Sequence, residues 1–132
     1  MIQENEKTKI REFTDLQTWQ EAHKLVVLIY KATKQFPKEE LFGLTSQIRR
    51  AVISVTSNIA EGFGRQGAKE KVQFYYIAQG SLTEIKNQLL AARDIDYIDK
   101  NDFKGLWEQV LTSHRLLQGL IRKTKTFLNH ES

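Results

Sequence analysis

Proline occurs once in these 132 residues, at position 37, and only seven glycines interrupt the rest. Proline removes a backbone donor and glycine loosens the backbone, so their scarcity leaves long stretches free to run as helix. Apolar residues then recur at three- and four-residue steps, the spacing of one helical face. The six residues 25–30, LVVLIY, would also suit a buried strand, but helical periodicity on both sides and the lack of neighbouring strands argue for helix.

Four helices are expected. The first begins after Thr14, which has capping-box spacing to Gln17, and runs to Phe36, because Pro37 disfavours helix in the residue before it. Leu16, Trp19, His23, Val26, Tyr30 and Thr33 mark its inner face. The second starts near Thr45 or Ser46, buries Ile48, Val52, Val55 and Ile59, and stops at Gly62 and Gly64. The third, about 68–93, buries Val72, Tyr75, Ile77, Leu82, Ile85 and Leu89. Asp99 is a good N-cap for the fourth, whose stripe is Phe103, Leu106, Val110, Leu117, Ile121 and Phe127 or Leu128. Long helices on short loops pack as an all-α, antiparallel up-down-up-down four-helix bundle over residues 13–128, between a flexible tail at 1–12 and a short tail at 129–132.

A monomeric bundle needs one apolar stripe per helix. The first and third helices carry more, in the unbroken runs 25–30 and 74–78, so a second buried surface in a homo-oligomer is expected. With 40% hydrophobic and 27% charged residues the chain has the composition of a folding domain. It has no cysteine, which excludes disulfides, thiolate metal sites and a cysteine nucleophile and fits a cytoplasmic setting. No apolar run approaches the roughly 18 residues of a membrane span, and no secretory leader is expected.

Chemical motifs are sparse. The stretch Gly62-Phe-Gly64-Arg-Gln-Gly67 spells GxGxxG with Glu84 downstream, but a dinucleotide fingerprint works between a strand and a helix, and here it follows a helix. As a loop it leaves backbone amides at the start of the third helix beside Arg65, Lys69 and Lys71, a place for an anion. His23, His114 and His130 are scattered and form no Glu-x-x-His pair, so no metal or other cofactor is expected, and His23 and His114 are read as core-edge residues. No nucleophile elbow is present, and the chain is read as non-enzymatic.

The net charge of +4 hides an imbalance: residues 45–93 hold seven basic and three acidic side chains, while the segments on either side balance. A second cluster, Arg115, Arg122, Lys123 and Lys125, faces no acid between Gln109 and His130. Cations in a last helical turn suit the helix dipole, and they equally suit nucleic-acid phosphates. On the second helix Ser54, Asn58, Glu61 and Arg65 form a polar stripe, read as a hydrogen-bonded structural network with Glu84 on the next helix. Gly80 and Ser81 would suit a close helix approach within the third helix.

Four ordered segments, FTDLQTWQ (13–20), FGLTSQIRR (42–50), SNIAEG (57–62) with Arg65, and GSLTE (80–84), resemble the bacterial four-helix-bundle family named for the 23S rRNA intervening-sequence protein. The resemblance spans about 10–128. It marks Arg49, Arg50, Asn58, Glu61, Arg65 and Glu84, and it implies an up-down bundle assembled as a ring-like homopentamer. It also implies kinship with the accessory variability determinant of diversity-generating retroelements, which works with a reverse transcriptase and binds nucleic acid through basic surfaces. The expected function is a non-enzymatic oligomeric scaffold that binds RNA or DNA weakly and without sequence preference. The binding residues would be Arg49, Arg50, Arg65, Lys69, Lys71, Arg115, Arg122, Lys123 and Lys125. Its partners would be further copies of itself, nucleic acid and a nucleic-acid-processing protein, with no membrane. The alternative is a protein-protein adaptor in which the basic residues serve solubility.

Overall fold

The computed structural model describes residues 9–128, so His130, the expected tail at 129–132 and the first eight residues lie outside the described residues. Four helices carry the fold: α1 (Gln17–Thr33), α2 (Leu44–Gly64), α3 (Ala68–Asp94) and α4 (Lys100–Lys125), with single 3-10 turns at Phe13–Asp15 and Lys38–Glu40. The described residues are all-α and contain no strand.

The start of α1 differs from the capping box expected at Thr14. Asp15 accepts the backbone N–H groups of Arg11 and Glu12, both at 3.0 Å, because a charged carboxylate outcompetes the threonine hydroxyl as an acceptor. These bonds hold the Asp15 carboxyl below its ordinary pKa. Thr14 sits inside the resulting turn, its carbonyl accepting from Gln20 Nε2 at 2.9 Å, and Leu16 becomes the N-cap of α1. At the other end helix stops at Thr33, and a turn carries the chain to the buried Phe36.

The inner face of α1 is also rotated by one residue from the expected stripe. Ala22, Leu25, Val26, Ile29 and Thr33 are buried, whereas His23 and Tyr30 are exposed. An apolar run that covers the whole helix circumference leaves its buried arc to be set by neighbouring helices.

Helix α2 begins at Leu44, whose N–H donates to Glu40 Oε1 at 3.0 Å, while Glu40 Oε2 accepts from the Tyr97 hydroxyl at 2.8 Å. The two bonds hold the Glu40 carboxyl below its usual pKa, and the bond to Glu40 raises that of the Tyr97 phenol. Ile48, Val52, Val55 and Ile59 are buried as their spacing indicated. Gly62 does not stop the helix, which continues to Gly64.

Along α3, Ala78 occupies the core position expected for Ile77, which is 53% exposed. The turn after α3 places Asp96 at φ 65°, a left-handed conformation that aspartate tolerates better than most non-glycine residues. Asp99 caps α4 by accepting from Asp102 N at 2.7 Å.

Each helix packs on two others, α1 and α3 each touching α2 and α4, and the α2–α3 pairing is the most extensive. One apolar cluster, including Leu25, Ile29, Val52, Leu82, Ile85 and Leu117, fills the space between them. Full burial of such side chains stabilises by about 1.5–3 kcal/mol each. Polar contacts tie the pairs together: Thr18 Oγ1 to Leu116 O at 3.4 Å, Gln109 Nε2 to Glu21 O at 2.9 Å, and Ser81 Oγ to Ser54 Oγ at 2.9 Å. Within the described residues no helix is long and apolar enough to cross a membrane.

Candidate functional site

The expected cationic set divides in two. Arg49 and Arg50 lie near the start of α2, about 23 Å along the helix axis from Arg65, at 1.5 Å per residue. Arg49 is committed to the fold: its Nε donates to Thr33 Oγ1 at 2.8 Å, its Nη2 to Tyr30 O at 3.4 Å, and its guanidinium stacks 4.7 Å from the Tyr30 ring. Arg50 is exposed and lines a cavity of about 190 Å³ with Gln47, Ala51, Ser54, Ser81 and Glu84.

The remaining cations gather where the end of α2, the start of α3 and the end of α4 meet. Lys125 Nζ lies 5.0 Å from the Tyr76 ring centre, and Lys71 and Lys123 line one groove, so the first turns of α3 and the last of α4 are side by side. Arg65, Lys69, Arg122, Lys123 and Lys125 are exposed there, and Arg115 extends the row two turns back along α4. Arg65 pairs with Glu61 at 3.1 Å and stacks 4.7 Å from Phe74.

Lys71 has a different role. Its ammonium donates to the carbonyls of Phe63 at 2.7 Å and Gly62 at 3.3 Å, closing the C-terminal end of α2. Burial pushes it below the usual lysine pKa.

The polar stripe is smaller than the expected network. Asn58 Nδ2 donates to Ser54 O at 2.8 Å and to Ser54 Oγ at 3.1 Å, and Ser81 joins them from α3. Glu61 and Glu84 stay outside: Glu61 is exposed and ion-paired with Arg65, and Glu84 is exposed and accepts from Gln88 at 3.3 Å. A carboxylate left in water avoids the desolvation cost that burial within the network would impose.

Of the histidines, His23 is exposed and stacks on Trp19 with ring centres 4.7 Å apart. His114 is half-buried, with Nδ1 3.1 Å from Lys86 Nζ, and burial followed by the Lys86 charge lowers its pKa. Among the described residues no group of three or more His, Asp or Glu side chains is placed to hold a metal ion.

Sequence spacing did not single out the groove beside the cationic cluster. Its volume is about 410 Å³, and Leu16, Phe63, Tyr75, Leu120 and Phe127 give it apolar walls edged by Lys71 and Lys123. These residues come from α2, α3, α4 and the segments before α1 and after α4, so no local pattern joins them. Tyr75 is 2% exposed, and burial alone pushes its hydroxyl up to about 12.

No curated protein matches the chain. Among solved structures it is similar to a crystal structure from Bacteroides thetaiotaomicron VPI-5482, described as a protein with unknown function from the S23 ribosomal protein family. The two share 21% identity over 80% of this chain and 95% of that one, with a TM-score of 0.74, which establishes a shared fold. Residues 14–119 match the 23S rRNA-intervening sequence protein family across all four helices, and the chain belongs to that family.

Proposed function

We propose that this protein is a non-catalytic cytoplasmic scaffold that assembles with copies of itself and holds RNA or DNA weakly by its phosphates, without reading sequence. The observation that carries the reading is the exposed cluster Arg65, Lys69, Arg122, Lys123 and Lys125, in which only Arg65 has an acidic partner within ion-pair distance among the described residues. Phosphate contacts from such side chains supply sequence-independent affinity.

The reading includes an antiparallel up-down-up-down bundle. Thr18 contacts Leu116 while Glu21 contacts Gln109, so residue numbers rise along α1 as they fall along α4. Assembly is supported by apolar side chains left open on the helix exteriors, Val27, Leu28 and Tyr30 on α1 and Tyr76 and Ile77 on α3. The family resemblance points to a ring of five.

Fluorescence anisotropy with a labelled single-stranded RNA, repeated at 50 and 200 mM salt, tests the binding. Neutralisation of five phosphates would weaken affinity about a hundredfold over that range. Affinity indifferent to salt, or none at low salt, would overturn the reading. A protein adaptor is the second reading, favoured by Phe42, which is 93% exposed beside the half-exposed Leu41 in the α1–α2 connection. It gains if a protein partner binds undiminished after the cationic cluster is neutralised.

A further inference from the structure

The groove beside the cationic cluster has the makings of a small-molecule site. Its volume of about 410 Å³ falls within the roughly 300–1,000 Å³ typical of ligand pockets. Its walls are largely apolar, and Gln66, Lys71, Tyr75, Lys123 and Thr124 supply its polar groups, the two lysines its only charges among the described residues. Lys71 donates to two backbone carbonyls, leaving the third proton of its ammonium available, and Lys123 is exposed at the edge. Tyr75 lines the groove and brings a phenol hydroxyl able to donate.

We propose that this groove binds a small amphipathic carboxylate, its apolar body against Phe63, Leu120 and Phe127 and its carboxylate among Tyr75, Lys71 and Lys123. The charge complementarity selects the class: two ammonium groups and a phenol offer donors to an anion, and a carboxylate beside Lys71 offsets the desolvation that burial imposes on its ammonium. A phosphate backbone would meet Lys123 yet leave the apolar walls unfilled. Lys123 is shared with the cationic cluster, yet the apolar walls give this inference a readout of its own.

Isothermal titration calorimetry of the full chain with decanoate and with decanol provides the test. The expected result is one decanoate per chain, with decanol about tenfold weaker because it lacks the charge-assisted bonds. Tyr75→Phe keeps the ring and removes the hydroxyl, and Lys123→Gln removes an exposed charge, so both variants should keep wild-type helicity by circular dichroism. Each should weaken decanoate about tenfold and leave decanol unchanged. Equal affinity for decanol and decanoate, decanoate binding unchanged in both variants, or no decanoate binding to the wild type would each overturn the proposal.

Discussion

The ring of Tyr75 occupies the space that a side chain at Gly62 would fill: a Cβ built on Gly62 would stand 2.5 Å from Tyr75 Cε1 and 2.9 Å from Cδ1. Helices α2 and α3 meet here, and a fully buried aromatic ring has little room to yield. Gly62→Ala should therefore destabilise by about 1–3 kcal/mol despite alanine's better helix propensity, measured by urea unfolding. Gly80 has nothing within 4 Å of its would-be Cβ, so the close approach expected at Gly80 and Ser81 is made by Ser81, whose hydroxyl meets Ser54 Oγ at 2.9 Å. Gly80→Ala should stabilise by about 0.5–1 kcal/mol, and a loss of stability would show that position 80 is covered in solution.

Arg49 links α1 to α2 through Thr33, the Tyr30 carbonyl and the Tyr30 ring. Arg49→Ala should lower stability by about 1–2 kcal/mol, the scale of a charge-assisted hydrogen bond with a stacked cation. RNA affinity of the folded variant should be unchanged, because this guanidinium is already engaged. A fall in affinity without a fall in stability would move Arg49 into the binding surface.

His114 makes stability depend on pH. Its pKa is lowered in the folded chain, so the unfolded chain takes up a proton first as pH falls. The stabilisation is complete above the unfolded value near 6.5 and declines as pH drops through that value towards the folded one. Denaturation midpoints measured between pH 7.5 and 5 should fall, with a slope below the roughly 1.4 kcal/mol per pH unit of a full proton. His114→Gln should flatten this part of the profile.

Lys69 and Lys125 stand on different helices of the cationic cluster. Replacing both with alanine should weaken single-stranded RNA of any sequence alike and reduce the salt slope by about 0.7 for each cation removed. Anisotropy titrations at four salt concentrations give that slope. Sequence-dependent losses would point to base contacts instead of phosphate contacts.

Much of the fold follows from short-range chemistry that a sequence displays. Asp99 caps α4 because an aspartate carboxylate reaches the N–H three residues on, and the stripe Ile48, Val52, Val55, Ile59 is buried because polar residues leave α2 one apolar face. The candidate site was less legible. Charge imbalance and the family resemblance grouped Arg49 with Arg65, but Thr33 and Tyr30, more than a dozen residues upstream, removed Arg49 from the cluster, and Phe63 and Gly62 did the same to Lys71.

The sequence by itself determined an all-α chain, four helices and most of their ends, since caps, proline and helical periodicity act within about one turn. Tertiary structure decided which arc of α1 is buried, why Gly62 must be small, and which cations remain free. Those outcomes depend on side chains brought together from distant positions: a helix apolar all round has no preferred arc until neighbours pack on it, and an ammonium is free until a carbonyl reaches it.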